Sequence, residues 1–304
     1  MSRSRIVLGC GNFGGIGSAP AFFGRGESEE EAVALMESAW SLGLGSFDTA
    51  DAYGGGRSET WIGRWMATTG RRPRLTTKVF HSVAGDPADE GLAPARVQRQ
   101  LEGSLARLGI DRVDTYMVHE PDPETPVAET MTVFAELLDR RLIGEIGASN
   151  VDVAWLEEAL AVAPVGVVQN SYSLLDRESE PVLDFCAECG IRFEAFSPLA
   201  GGWLTGKYRR DAPAPGGSRM TTRPEPYRDF ESAPVYDALE RFDGAASERG
   251  LDMSTLAFAW LLADPRVGSI VVGPRRPEHL EPAVAATEVA LSEAERDQVA
   301  SIFP

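Results

Sequence analysis

Short apolar runs alternate with stretches of helical periodicity along the whole chain. The runs fall at Ile6–Gly9, Ser46–Asp48, Leu75–Lys78, Asp114–His119, Gly144–Ser149, Val167–Asn170, Ile191–Phe196 and Ser269–Val272, and each has the length of a buried strand. Between them, apolar residues recur about every 3.6 positions, and the segments open on helix start signals. Ser28 with Glu31 spells a capping box ahead of Ala32, Leu35, Met36 and Ala39. Pro94 suits the first turn of a helix bearing Val97, Leu101, Leu105 and Leu108, and Ser292 with Glu295 opens the last one. Strands alternating with helices imply parallel pairing. At ~38 residues per unit, with no linker rich in Pro, Gly or Ser at mid-chain, the pattern predicts an α/β fold: one (β/α)8 TIM barrel domain over residues 1–304. In such barrels chemistry sits at the C-terminal ends of the strands, where Asp48, Lys78, His119, Ser149, Asn150 and Asn170 fall.

Two stretches depart from the alternation. Gly9-Cys10-Gly11-Asn12-Phe13-Gly14 matches the dinucleotide-binding pattern G-x-G-x-x-G, but no helix opens there. The first acidic residue to end a strand, Asp48, stands 34 positions beyond Gly14, too far for that motif. We read the segment as a glycine-rich loop that lets a ligand approach the backbone. The other stretch, Leu199 to about Pro234, is long and irregular, with Trp203, Tyr208, Tyr227 and five arginines, Arg209, Arg210, Arg219, Arg223 and Arg228. A segment of that length is functional or mobile; its basic character fits either an anionic ligand or a solvated loop.

Composition narrows the function. The apolar and charged fractions, 43% and 25%, are those of a soluble globular protein. No apolar run approaches the ~18 residues of a membrane span, and the short Ile6-Val7-Leu8 behind two arginines is not a signal peptide, so a cytoplasmic protein is expected. A formal net charge of -17 argues against nucleic acid or an anionic membrane as partner. Three cysteines make no disulfide framework; Cys186 and Cys189 form a C-x-x-C late in a helical segment, read as small core residues rather than a redox pair.

The candidate chemistry lies in Phe47-Asp48-Thr49-Ala50-Asp51-Ala52-Tyr53-Gly54, followed by Lys78 and His119 at the next two strand ends. A phenol, with an unperturbed pKa of about 10, needs help to act as an acid near neutral pH. A nearby ammonium lowers that value, a carboxylate holds the ammonium, and an imidazole orients a polar substrate group. Singly, each residue has a plain structural reading: a turn cap, a surface aromatic, a solvated strand end, a core histidine. Together, on one barrel rim, they form a site for protonating an alkoxide as it develops from a carbonyl. No metal site is expected, because His81, His119 and His279 are the only histidines and no paired carboxylate ligands accompany them. No G-x-S-x-G elbow supports a serine hydrolase.

In this order Asp48, Tyr53, Lys78 and His119 resemble the catalytic tetrad of the aldo-keto reductases, and the similarity extends from about Ile6 to Ala286. The branch implied also includes the potassium channel β subunits, which share the Ser-Pro-Leu-Ala…Gly-Lys-Tyr loop. The resemblance implies a nicotinamide cofactor and its contacts. Asn12 and Phe13 would touch the nicotinamide half, near Asp48; Ser149, Asn150 and Gln169 would clamp the carboxamide; Phe196 would stack on the ring. The run from Phe196 to Tyr208 resembles the pyrophosphate loop, with Ser197, Pro198, Leu199 and Gly201 along it and Lys207 and Arg219 as charge partners. Gly273 and Arg275 lie in the turn that holds the adenosine 2′-phosphate, which implies NADPH rather than NADH. His279 stands where the family has Arg or Gln, and Pro282-Ala283 where it has Glu-Asn.

The expectation is an NADPH-dependent reductase of aldehydes or ketones. Hydride would pass from nicotinamide C4 to the carbonyl carbon, and Tyr53, its pKa lowered mainly by Lys78, would protonate the oxygen. Asp48 would hold Lys78, and His119 would orient the carbonyl. The alternative is a cofactor-binding sensor or partner protein with slow chemistry, which would bind NADP(H) without consuming it. Phe22, Phe23, Trp203, Tyr227 and Trp155 are the candidate substrate-lining residues. With the chain ending at Pro304, directly after the last helix, an open site for bulky carbonyl compounds is expected.

Overall fold

A computed structural model describes residues 5–304; Arg3, one of the two arginines weighed as a leader, lies outside them, as does the start of the domain predicted over 1–304. Eight parallel strands close into a barrel in chain order: β1 (Ile6–Gly9), β2 (Ser46–Asp48), β3 (Arg74–Val79), β4 (Val113–Val118), β5 (Ile143–Ser149), β6 (Val167–Ser171), β7 (Arg192–Phe196) and β8 (Val267–Val272). Closure is made by β1 against β8, with Ile6 opposite Ile270 and Leu8 opposite Val272. This is the (β/α)8 barrel expected, and the predicted strand ends are met within two residues. His119, predicted to close β4, instead follows it by one position.

The helices around the barrel begin with α1 (Glu29–Ser41), α2 (Arg57–Thr69), α3 (Pro94–Leu108), α4 (Val127–Asp139), α5 (Val153–Leu160) and α6 (Glu180–Cys189). After them come α7 (Arg219–Thr222), α8 (Ala233–Ser247), α9 (Met253–Ala263), α10 (Glu281–Ala286) and α11 (Glu293–Ala300). Both predicted capping boxes are formed: Ser28 Oγ accepts from Glu31 N, and Glu31 accepts from Ser28 N at 2.8 Å; Ser292 and Glu295 do the same for α11. Each satisfies two backbone donors that a helix start leaves open. Among the described residues no helix is long and apolar enough to cross a membrane.

The stretch from Leu199 to Pro234 is more ordered than its composition suggests. It contains 3-10 turns at Ala200–Thr205 and Glu225–Phe230 with α7 between them. The cause is aromatic packing: Trp203 is fully buried, its ring centroid 4.7 Å from Tyr208, 5.6 Å from Tyr236 and 6.2 Å from Phe230. Those contacts give the loop a small core of its own. The C-x-x-C reading is half corrected. Cys186 is buried in the core, whereas Cys189, one turn on at the end of α6, is exposed.

Candidate active site

Asp48 ends β2 and Lys78 lies near the end of β3, so adjacent parallel strands place both side chains inside one rim. Lys78 Nζ donates to both oxygens of Asp48, at 2.5 and 2.6 Å, and to the carbonyl of Thr49 at 3.2 Å. Both residues are almost wholly buried, which makes the pair costly to break and rigid in position. Burial by itself would lower the Lys78 pKa; Asp48 and then Tyr53 outweigh it, and the ammonium form is held.

Tyr53 comes from the turn after β2, and the tightness of that turn depends on Gly54. Gly54 has φ 60°, and a Cβ there would fall 2.3 Å from the carbonyl oxygen of Phe13. The phenol ring sits with its centroid 5.2 Å from Lys78 Nζ, and its hydroxyl is 3.5 Å from Nε2 of His119. The tetrad is thus assembled, with Tyr53 and His119 retaining some exposed surface. One expectation is corrected: the Tyr53 pKa is raised, because burial outweighs the opposing pull of Lys78. The phenol is therefore held as the neutral, proton-carrying form. His119 moves the opposite way for the same first reason: burial, then Lys78 and His81, keep its imidazole well below the usual histidine range and neutral.

Around the tetrad, several residues are tied to it in ways their sequence positions did not reveal. Gln169 donates to Asp48 at 2.9 Å and to buried Glu194 of β7 at 3.2 Å, so its amide nitrogen is engaged within the barrel. Asn150 adopts a left-handed backbone (φ 58°) and donates to the carbonyl of His119 at 2.9 Å. Beneath Lys78, Thr77 faces the helices and donates to Glu59 at 2.5 Å; Glu59 in turn holds Arg107 at 2.7 Å. His81 packs edge-on to His119, with ring centroids 4.9 Å apart. Sequence reasoning missed Glu194, Glu59, Arg107 and His81 as members of this neighbourhood. For Glu59 one signal existed: a polar Thr77 next to an inward Lys78 on a buried strand demands a polar partner on the helix side.

A second group of residues meets where the loops after β1, β7 and β8 converge. Arg219 donates to Asn12 Oδ1 at 2.7 Å, joining α7 to the first loop. Lys207 lies across Gly202, whose φ of 94° and missing Cβ leave room for it. Arg275 pairs with buried Glu27 at 3.2 Å, donates to the carbonyl of Gly217 and shares a 3.3 Å contact from its backbone N–H to His279 Nδ1. Partial burial, with Arg219 and Arg275 nearby, lowers the Lys207 pKa. Burial pushes Glu27 up to about 6 despite Arg275. Among the described residues four non-glycine residues take positive φ, and three of them, Asn150, Ser197 and Ala200, lie in the loops predicted to hold the cofactor. Such backbone costs about 1–3 kcal/mol per residue and concentrates at ligand-binding sites.

The remaining predicted residues sort less evenly. Ser149 is buried beside Asn150; Phe196, Ser197, Leu199 and Gly201 are partly open along the β7 loop, with Pro198 buried among them, and Gly273 is exposed after β8. Phe13 is corrected in part: its ring is buried in the core, so only its backbone is available to a ligand. Trp203 and Trp155 are corrected as substrate-lining candidates, since both rings belong to the core. Phe22, Phe23 and Tyr227 are only half-buried and stay available.

A family model described as "Aldo/keto reductase family" matches residues 5–303. The "NADH-specific methylglyoxal reductase" of Escherichia coli is 33% identical over 97% of this chain and 93% of its own length. A "probable voltage-gated potassium channel subunit beta" of rice is 33% identical over 88% of this chain and 85% of its own. Among solved structures, a glycerol dehydrogenase from Gluconobacter oxydans superposes with a TM-score of 0.84 at 25% identity, covering 98% of this chain and 90% of that one.

Proposed function

The chain belongs to the aldo/keto reductase family, an NAD(P)H-dependent oxidoreductase family acting on carbonyl compounds, and from that footing we propose that it reduces an aldehyde or ketone to the alcohol with NADPH. The observation that carries the reading is the buried Asp48–Lys78 pair with Tyr53 and His119 on the same rim. A bound nicotinamide supplies hydride to the carbonyl carbon. Neutral Tyr53 delivers a proton from its Oη to the developing oxyanion, and Lys78 stabilises the phenolate that is left. Asp48 fixes Lys78, and neutral His119 donates from Nε2 to the same oxygen, orienting the carbonyl. Proton supply of this kind contributes ~10²–10⁴ in rate.

The residues fit a dinucleotide. Lys207, Arg219 and Arg275 gather with Glu27 as the one carboxylate among the described residues paired to any of them, an arrangement that favours a polyphosphate. We assign Ser149, Asn150 and the carbonyl of Gln169 to the nicotinamide carboxamide, and Phe196 to the ring face. Asn12, the Phe13 backbone and the segment Ser197-Pro198-Leu199 with Gly201 would line the rest of the path. Gly273, Arg275 and His279 are assigned to the adenosine end, and Arg275 is the basis for NADPH over NADH. The Escherichia coli relative is NADH-specific by name, which makes this preference a property to be measured rather than inherited.

The likeness to a channel β subunit supports a second reading, a nicotinamide-binding sensor with slow chemistry. Consumption of NADPH and NADH by the purified protein against aldehydes, quinones, keto sugars and bulky ketones separates the two. Turnover with at least one carbonyl class is the predicted result. Tight NADPH binding without turnover on any of them would replace the reductase with the sensor.

A further inference from the structure

The mouth of the site carries two arginines that no carboxylate among the described residues neutralises. Arg223 follows α7, and Arg25 belongs to the first loop; their guanidinium carbons each lie 5.9 Å from the ring centroid of Phe22. Among the described residues neither has a carboxylate within ion-pair distance or a side-chain hydrogen bond, whereas most of the other arginines have one or the other. Cation–π contact with one shared ring leaves the donors of both guanidiniums open.

Two neighbours place Arg223 beside the turns that carry the tetrad. A Cβ built on Gly17 would lie 3.2 Å from Arg223 Nη1, and the carbonyl of Gly17 accepts the N–H of Gly54, the residue after Tyr53. On the other side lies His81, whose pKa is lowered first by burial and to a smaller degree by Arg96 and Arg223, and whose ring packs against His119. The carboxylates nearest His81 are Glu120, 3.7 Å from Nε2, and Glu90; neither pairs with Arg223. Arg223 is half-buried, so its charge is less screened than that of a solvated side chain.

We propose that Arg223, assisted by Arg25, is a specificity residue that receives a carboxylate or phosphate carried by the carbonyl substrate. The inference rests on the reductase reading and names its substrate class: aldehydes or ketones with an anionic group remote from the carbonyl. A chain of net charge -17 repels such molecules at long range, and an unneutralised basic mouth provides the local attraction they need. A guanidinium recognises either oxyanion with two parallel hydrogen bonds, and Phe22 beneath both arginines offers a face for the substrate's apolar body.

The test is calorimetric binding of 4-carboxybenzaldehyde and its neutral methyl ester to the NADP⁺-saturated protein, native and Arg223→Gln. Native protein is predicted to bind the carboxylate at least tenfold more tightly than the ester, a margin typical of one charge-assisted contact. Arg223→Gln should bring that ratio near one while NADP⁺ affinity stays within twofold, and Arg223→Lys should recover part of it. Glyceraldehyde 3-phosphate against glyceraldehyde asks the same of a phosphate. Equal binding of acid and ester by the native protein overturns the proposal. So does a loss of NADP⁺ affinity in Arg223→Gln as large as the loss of carboxylate affinity, since Arg223 would then serve the cofactor. Turnover of the methyl ester in parallel samples supplied with NADPH reports on the reductase reading separately, because binding selectivity is scored with NADP⁺ whether or not the aldehyde is reduced.

Discussion

Lys78 and Lys207 stand on the same barrel rim with opposite electrostatic circumstances. Lys78 is enclosed, chelated by both oxygens of Asp48, and its pKa is raised. Lys207 lies on a glycine beside Arg219 and Arg275, with no carboxylate partner among the described residues, and partial burial, then those two cations, lower its pKa. The first arrangement is complete without a ligand: the protein has built the charge pair into its own interior. The second is incomplete, because like charges have been brought together against their mutual repulsion. A self-satisfied buried cation serves the chemistry of a neighbouring group, here Tyr53; an unsatisfied cluster serves an anion from outside.

The contrast predicts unequal responses to substitution. Lys78→Met should be the most damaging change. It leaves Asp48 buried with only the Gln169 amide, which costs ~3–5 kcal/mol of stability and abolishes turnover. Chemical denaturation of Lys78→Met, and of the double variant with Asp48→Asn, checks this; the double variant should recover part of the lost stability. Lys207→Ala and Arg219→Ala should instead raise the apparent NADPH Kd about tenfold each; Lys207→Ala should move stability by less than ~0.5 kcal/mol, and Arg219→Ala, which gives up the hydrogen bond to Asn12, by ~1 kcal/mol. Fluorescence titration with a thermal melt measures both. A large loss of stability in either would show that the cluster holds the fold and not a ligand.

The smallest effect on cofactor affinity is expected at Glu27, where the two regimes meet. Its pKa is raised from 4.5 to about 6, so between those values the native protein keeps a proton that the unfolded chain has released. Stability from this group therefore falls as pH rises from 4.5 to about 6, by ~2 kcal/mol in all, and is not regained above that window. Glu27→Gln should remove the loss and raise stability at pH 7 by ~1 kcal/mol, since Arg275 gives up only a half-exposed pair. The same change frees Arg275 and should tighten NADPH binding severalfold without altering NADH binding. Melting curves from pH 4 to 8 with both cofactors test it.

What the sequence revealed and what it hid divide along similar lines. The strands were legible because parallel strands buried on both faces are continuous apolar runs, and the capping boxes because their atoms are local. The tetrad was legible as residues at successive strand ends. The direction of the Tyr53 shift was not: it is set by how completely the folded protein excludes water, and proximity to Lys78 alone suggested the opposite. Glu27 and Arg275, 248 positions apart, carry no sequence sign of their pairing. Trp203 looked like a pocket residue because its loop is rich in polar and basic side chains, yet that ring is what gives the loop its core.

The most direct test of the central claim is NADPH oxidation by Tyr53→Phe with a carbonyl that the native protein reduces, after titration shows that both forms bind NADPH alike. Removing one hydroxyl from a neutral proton donor should lower kcat by ~10²–10⁴ while cofactor affinity is kept. Full turnover by Tyr53→Phe with NADPH bound would contradict the account and move the proton donor elsewhere.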